Sequence, residues 1–252
     1  MTSDMEQKRP NGERIAKRMA SSGLCSRRDA ERIIEQGRVK VNGSVLCTAA
    51  FVVDGNDVIE VDGKVIAGKP ATRLFLYHKP KGLITTHRDE RNRPTVFDTL
   101  PKNLPRLMSV GRLDLNTEGL LLLTNDGGLA RYLELPATGW SRQYRVRIDK
   151  HIPEDVLLGL KKGITIDGIR YGSVQAQHEA QKEGKNQWLR MTIREGKNRE
   201  IRRIVEALGA QVSRLIRVAY GPFLLGKIGT GEIVEVKYEI LIEQIKPYFK
   251  DL

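Results

Sequence analysis

Apolar residues near the start of the chain recur at helical spacing. Ile15 and Met19 lie four positions apart, and Ile33 and Ile34 form the inward side of a second helical segment. Ser26 precedes that segment and has a side chain typical of an N-cap. The pattern therefore predicts two short helices that share a small core.

The spacing of apolar residues changes after Gly37 from helical to alternating. Residues 39–41 and 58–61 alternate apolar and polar side chains, and Asn42-Gly43 is a strong signal for a tight turn. The first part of the chain is therefore predicted to be a compact unit of two helices followed by strands.

A new apolar strand begins at Leu74, and from there short β patterns alternate with helical ones. They lack the regular β-α-β succession of a doubly wound sheet, which favours an α+β fold with a largely antiparallel mixed sheet. Four regions are predicted: a polar, disordered arm at residues 1–12, a helix-and-strand unit at 13–63, a linker at 64–72 and an α+β domain at 73–252.

The charge of the chain indicates the class of its binding partner. The 252 residues carry a formal net charge of +12, and half of that excess lies between Lys8 and Lys40, where ten basic residues face four acidic ones. Clustered Lys and Arg side chains favour a nucleic acid as partner, because they release counterions from its phosphate backbone. A solvated basic surface is the alternative. The candidate RNA contacts of this unit are Arg14, Lys17, Arg27, Arg28, Arg32, Arg38 and Lys40.

Several functions lack their usual sequence signals. The chain has no phosphate-binding glycine loop, no dinucleotide fingerprint and no clustered Cys or His, so we expect neither a nucleotide cofactor nor a metal. The longest aliphatic run is far shorter than the ~20 residues of a membrane span. We therefore expect a cytoplasmic monomer that makes no membrane contact and works with ordinary side chains.

One loop stands out as a candidate for chemistry. Residues 112–118 are mostly polar and precede the aliphatic run at 119–123, which is typical of a buried strand. Asp114 on this loop could act as a nucleophile or base on a rigid support. The alternative is an aspartate that caps a turn.

A second basic segment lies near the C-terminus. Between Arg190 and Arg217 there are eight basic residues and three acidic ones. A helix predicted from about Asn198 to Leu208 would carry Arg203 beside an apolar stripe, either as an RNA contact or as part of a solvated face.

The first unit resembles the S4-like RNA-binding domain. The resemblance rests on the runs RIAK at 14–17, GLCSRRDAE at 23–31 and GRVKVNG at 37–43, which occur in the order of that module. It implies that the two helices lie on structured RNA.

The remainder resembles the RsuA-type pseudouridine synthases, which isomerise uridines in ribosomal RNA. The signature is GRLD at 111–114, followed by Thr117 and GLLLLTNDG at 119–127, with KPKG at 79–82 and REGKNREIRR at 194–203 in the family's order. The runs at 93–98 and 212–218 are most similar to the large-subunit, RluB-type branch.

This resemblance implies a role for particular residues. Asp114 lies at the position of the family's nucleophile, Tyr144 at that of the tyrosine that packs on the target base, and Arg202 is our choice for the cation paired with Asp114, ahead of Arg199. The tyrosine could instead belong to the core, and Arg142 replaces a lysine that is frequent in the family. The further RNA contacts that we expect are Arg112, Lys197, Asn198, Arg199 and Arg203.

The implied reaction requires no cofactor and a uridine that leaves its stack. Asp114 could attack C1′ of the ribose or assist formation of a glycal, and the sequence does not choose between them. The expected substrate is ribosomal RNA, with large-subunit RNA favoured. A non-catalytic RNA-binding or assembly protein is the main alternative, and an RNA methyltransferase is a weaker one because the cofactor loop is missing.

Overall fold

The computed structural model describes residues 12–179 and 187–250. The chain divides into two compact units, with the boundary between Thr72 and Arg73. Except for Gly12, the arm expected at residues 1–12 lies outside the described residues. Of the described helices, none is long and apolar enough to cross a membrane.

The N-terminal unit packs two helices on short strands. Ser26 caps the second helix by accepting a hydrogen bond from the Asp29 amide at 3.1 Å, as its position predicted. Ile15, Met19 and Ile34 are fully buried in the core of this unit. Its elements are β1 (Glu13–Arg14), α1 (Ile15–Ser21), α2 (Arg27–Glu35), β2 (Val39–Val41), β3 (Ser44–Leu46), β4 (Val52–Val53), β5 (Ile59–Val61) and β6 (Lys64–Val65).

Strand pairing extends the N-terminal unit beyond residue 63. The strands β3, β2, β5 and β6 form one antiparallel sheet in that order, and β1 pairs with β4. Ile66 donates to the Ile59 carbonyl at 2.9 Å and packs against the core. The first residues of the expected 64–72 linker are therefore part of the folded unit.

The second unit contains a mixed sheet with helices on it. Its strands are β7 (Leu74–Lys79), β8 (Met108–Ser109), β9 (Glu118–Thr124), β10 (Arg142–Ile148), β11 (Ile164–Ile166), β12 (Ile169–Tyr171), β13 (Gln175–His178), β14 (Gln187–Ile193), β15 (Val212–Tyr220), β16 (Phe223–Leu224) and β17 (Ile233–Glu235). Its α-helices are α3 (Gly127–Glu134), α4 (Glu154–Gly159), α5 (Glu200–Ala207), α6 (Tyr238–Gln244) and α7 (Lys246–Lys250).

The strands of this sheet follow the order β13-β14-β10-β15-β9-β7-β17, with β16 on β15 and β8 on β9. Within the described chain the β9–β15 pair is parallel and the other pairs of this sheet are antiparallel. This confirms the predicted α+β fold with a largely antiparallel mixed sheet. Near the C-terminus the last strand is short, because β17 stops at Glu235 and α6 starts at Tyr238.

Strand β9 lies between two hydrophobic cores. All seven of its residues are buried, which explains why its sequence is a continuous aliphatic run and not an alternating one. Leu121 and Leu123 belong to the core that contains Tyr144, while Leu120 and Leu122 belong to the core beneath α3, α6 and α7. Because both faces of β9 are covered, the loop that precedes it rests on a rigid base.

The parallel pairing of β9 with β15 depends on Gly119. Gly119 has φ +102°, and a Cβ atom placed there would lie 2.2 Å from the backbone oxygen of Arg217. No other residue type tolerates both this backbone conformation and this approach. The absence of a side chain at position 119 therefore lets the two central strands meet directly after the 112–118 loop.

Gly119→Ala should lower the free energy of unfolding by more than about 2 kcal/mol, because the new methyl group must displace backbone and adopt a positive φ. Chemical denaturation of the full chain measures this. Gly159→Ala is the matched control, since Gly159 ends α4 and no atom of the described chain lies within 4 Å of the added Cβ. We expect it to be neutral or slightly stabilising. Equal effects of the two substitutions would contradict the close-approach argument.

Candidate active site

An open cleft of about 730 Å³ lies in the second unit, on the sheet face that carries Tyr144 and Leu215. The loop before β9 forms one wall, and the segment between β14 and α5 forms another. Of the residues that the sequence singled out in this unit, the cleft brings together Arg112, Asp114, Tyr144, Lys197, Asn198 and Arg199. Arg202 and Arg203 are not among its lining residues.

The loop that carries Asp114 is held by its backbone. The Thr117 amide donates to the Asp114 carbonyl at 3.0 Å, and the Gly82 amide donates to the Leu115 carbonyl at 2.9 Å. The Thr85 hydroxyl donates to the Leu113 carbonyl at 2.9 Å. The loop is thus fixed on both sides of Asp114, while the Asp114 side chain is exposed on the cleft wall.

Lys79, the last residue of β7, is fully buried beneath this loop. Its ammonium group donates to the carbonyls of Pro80 at 3.0 Å, Asp114 at 3.2 Å and Thr117 at 3.0 Å. Burial lowers the pKa of Lys79 to about 8, against the attraction of the nearby Asp114 and Glu118 carboxylates. One buried cation therefore uses all three of its donors on carbonyls, two of which belong to the loop that carries Asp114.

Tyr144 lies on β10 at the floor of the cleft. It is mostly buried, belongs to the hydrophobic core and also lines the cleft, so the two interpretations of this tyrosine are compatible. Its cross-strand partners are Met191 on β14 and Arg217 on β15. A ring in this position can offer one face or edge to a planar ligand while its body packs in the core.

The Arg202 guanidinium makes its hydrogen bonds to backbone carbonyls. It donates to Asn116 at 2.9 Å, on the same loop as Asp114, and to Val212 at 3.2 Å. Burial lowers the pKa of Arg202, and the Asp114 charge opposes that shift. Among the described residues, no basic side chain lies within 4 Å of the Asp114 carboxylate. The direct Arg202–Asp114 ion pair that we expected from the sequence stays a prediction.

The segment from Glu195 to Glu200 carries a carboxylate at each end and basic residues between them. Glu200 is buried and accepts a hydrogen bond from the Lys197 amide at 3.0 Å, and burial together with the neighbouring Glu195 raises the pKa of Glu200 to about 7. Lys197 forms an ion pair with Glu195. Arg199 has φ +51° at the start of α5, a conformation that is uncommon for a residue with a side chain.

The remaining RNA-contact candidates lie elsewhere. Arg203 approaches the Tyr171 hydroxyl at 3.5 Å. In the N-terminal unit, Arg27 and Arg28 on α2 are exposed. Three other candidates of that unit form ion pairs: Lys17 with Glu13, Arg32 with Asp29, and Arg38 with Asp62.

Sequence reasoning gave no role to Lys79, which anchors one wall of the cleft, or to Arg217 and Tyr220, which line it. Arg217 had a usable signal, because it occupies an inward position of the alternating strand β15, between Leu215 and Ala219. An arginine where the pattern requires a buried side chain indicates a special role. Lys79 occupies the same kind of position, since it follows Phe75 and Tyr77 on the buried side of β7, but its partners on the distant 112–118 loop gave no signal in the sequence.

The fold is that of a pseudouridylate synthase. The chain aligns with a solved structure described as a pseudouridylate synthase at 26% identity and a TM-score of 0.64, over 92% of this chain and 98% of the other. The family model for RNA pseudouridylate synthases matches residues 73–207, and the S4 domain model matches residues 13–59.

Two relatives make the assignment more specific. A Rickettsia prowazekii protein described as an uncharacterized RNA pseudouridine synthase is 45% identical over 232 residues, covering 92% of this chain and 97% of that protein. Ribosomal large subunit pseudouridine synthase B of Pseudomonas aeruginosa is 40% identical over 245 residues, covering 94% and 63%. The chain belongs to the RNA pseudouridylate synthase family and is an isomerase that acts on RNA, which confirms both resemblances found in the sequence.

Lys79 should give the pH profile of turnover a falling limb at basic pH. As pH rises through about 8, the ammonium loses its proton and with it a donor to the loop carbonyls, so we expect activity to fall. Lys79→Arg, whose side chain stays charged, should lack this limb even if its maximum is lower, and Lys79→Met should be poorly active at every pH. Turnover measured from pH 6 to 10 tests this.

Stability should change in the opposite direction over the same range. The folded-state pKa lies below the ordinary value of 10.5, so the unfolded chain binds more protons between about pH 8 and 10.5. This group therefore makes the free energy of unfolding rise with pH in that window.

A falling limb of the turnover profile that persists in Lys79→Arg would show that another residue causes the loss of activity at basic pH.

Proposed function

We propose that this protein converts a specific uridine of ribosomal RNA, in the large subunit, to pseudouridine, with Asp114 as the reacting carboxylate. The observation that carries the proposal is the Asp114 loop, fixed by Lys79 at the wall of a cleft whose floor presents Tyr144. The name of the Pseudomonas aeruginosa relative supports the choice of large-subunit RNA.

The reaction rearranges bonds without adding or removing atoms. The bond from N1 of uracil to C1′ of ribose breaks and its electron pair stays on uracil. Asp114 either bonds to C1′ or removes the C2′ proton to give a glycal. The uracil then turns and C5 bonds to C1′, while the bond to Asp114 breaks or the C2′ proton returns. Finally the hydrogen on C5 leaves to water and N1 takes up a proton.

The cleft residues can divide this work. A flipped base would lie against the Tyr144 ring, since extrusion from the stack gives an enzyme access to both N1 and C1′. Arg112 and Arg199 at the rim would contact phosphates, which fixes the position of the RNA without reading its sequence. Lys197 would do so by exchanging its Glu195 partner for a phosphate. Asp114 is exposed enough to reach a ribose in that position.

The N-terminal unit would add affinity for folded RNA. Arg27 and Arg28 form the first turn of α2 and are exposed, and no ion pair of theirs is found among the described residues. Such side chains can neutralise phosphates, whereas Arg32 and Arg38 already have acidic partners.

Asp114→Asn should abolish turnover and leave RNA affinity within a few-fold of the wild type, because the amide can neither attack C1′ nor accept a proton. The measurement is tritium release from unmodified ribosomal RNA labelled at uracil C5. Asp155→Asn, at an exposed acid in the first turn of α4, is the control and should keep full activity. Parallel loss of binding and activity in Asp114→Asn would argue against a reacting carboxylate, and tight binding by an inactive wild type would indicate a non-catalytic clamp.

Replacing Arg27 and Arg28 together by Gln should weaken binding to large-subunit RNA and flatten its salt dependence. Each lost phosphate contact lowers the slope of log K against log salt by roughly 0.7–0.9. Fluorescence anisotropy of the full chain at several salt concentrations gives that slope. The double variant Lys161→Gln and Lys162→Gln removes the same charge at exposed positions of the other unit and should leave the slope unchanged. Equal slopes for the two double variants would contradict phosphate contacts by Arg27 and Arg28.

A further inference from the structure

Two buried arginines form part of the cleft floor. Arg217 on β15 is 3% exposed and Arg142, the first residue of β10, is 9% exposed, and both line the cleft. They meet at one aromatic ring, because the Arg142 guanidinium lies 4.8 Å and the Arg217 guanidinium 5.2 Å from the centre of Tyr220. We call this set the arginine floor: Arg142, Arg217 and Tyr220.

The hydrogen bonds of the arginine floor all go to neutral groups. Arg142 donates to the Arg194 carbonyl at 2.9 Å and to the Tyr220 hydroxyl at 2.8 Å, and that hydroxyl donates to the Leu133 carbonyl at 2.7 Å. Arg217 donates from Nε to the Leu120 carbonyl at 2.6 Å. Its Nη2 atom is buried and has no hydrogen-bond partner among the residues that the structure describes.

Neither guanidinium has a carboxylate within 4 Å among the residues that the structure describes. Buried charges are normally paired, since an isolated ion in a poorly solvated site is costly. Here two like charges lie against one ring and are held by carbonyl dipoles. The arrangement is poised for negative charge that arrives in the cleft.

The proposed reaction creates such a charge near this place. When the bond between N1 and C1′ breaks, the electron pair that remains makes uracil an anion, with charge spread over N1 and the two carbonyl oxygens. Arg217 is the cross-strand partner of Tyr144, the residue against which the base would pack, so the base would lie beside the floor.

We propose that Arg142 and Arg217 form a preorganised cationic floor that stabilises the uracil anion as the glycosidic bond breaks. The inference rests on the proposed function. Fixed charges aimed at a position where charge develops lower the barrier without reorganising during the step, and their effect is greatest where water is excluded. This effect serves both routes for Asp114, because uracil leaves as an anion in each.

A phosphate is a less suitable occupant of this floor. Phosphodiesters carry their charge before, during and after the reaction, and they are bound by exposed basic side chains that present several donors. Arg217 offers only a few per cent of its surface, and its Nη2 is closed off. The positive charge of Arg217 can stabilise a nearby anion through its electric field without a wide contact area, and this is consistent with its burial.

The central experiment compares Arg217→Gln with Arg217→Lys in the full chain, with tritium release from large-subunit ribosomal RNA as readout. Removing the charge should lower kcat at least about 100-fold and leave KM within about threefold, because the ground-state uracil is neutral. The Arg217→Lys variant keeps a charge and should recover much of kcat. Arg147→Gln, at a half-exposed position on the other face of β10, should keep wild-type kcat.

A packing role for Arg217 would also lower kcat, so a second measurement separates charge from shape. In Arg217→Ala, about 20 mM guanidinium chloride should raise kcat at least about tenfold, while equimolar urea, a neutral molecule of the same shape, and sodium chloride should not. Should the position 217 variants fail to fold, the same comparison is made at position 142 with Gln, Lys and Ala.

Several results would overturn the inference while the proposed function stands. They are a kcat for Arg217→Gln close to that of the wild type, a loss confined to KM as expected for a phosphate contact, and equal responses of Arg217→Ala to guanidinium and urea. A wild-type protein that releases no tritium from any ribosomal RNA would instead contradict the proposed function itself.

Discussion

The candidate site depends on one buried ammonium group. Lys79 ends β7 beneath the loop that carries Asp114, and its hydrogen bonds to the Asp114 and Thr117 carbonyls join the strand end to that loop. Exposing an acidic side chain on a flexible loop would leave its carboxylate in many positions. Anchoring the backbone through a charge that is itself inaccessible fixes the position of the carboxylate and leaves its side chain open to a ligand.

A second constraint brings this loop to the rest of the cleft. The parallel contact of β9 with β15 occurs at Gly119 and Arg217, directly after the loop, and Arg217 pairs in turn with Tyr144 on β10. The loop carboxylate, the buried guanidinium and the tyrosine thus follow one another across three adjacent strands. Because β9 is buried on both faces, this sequence of contacts rests on a closely packed strand.

Much of this could be predicted from the sequence, where the pattern was local. The Ser26 cap, the aliphatic strand β9 and the Asp114 loop each follow from a few neighbouring residues. Lys79 and the loop carbonyls of Asp114 and Thr117 that it holds are separated by 35 residues or more, so no spacing along the chain reveals their contact. The hydrogen-bond partner of Arg202 could not be predicted either, because its bond to the Asn116 carbonyl depends on how α5 packs against the loop.

Lys79, Arg202 and Arg217 share one mode of stabilisation: each buried or half-buried cation donates to backbone carbonyls. A carbonyl dipole supports a positive charge without cancelling it, whereas a carboxylate would neutralise it. These three cations therefore contribute a positive potential around the Asp114 loop and the cleft floor that an ion-paired set of the same residues would lack. Such a potential attracts a phosphate backbone from a distance, and close to the sheet it favours any step in which the bound base becomes negative.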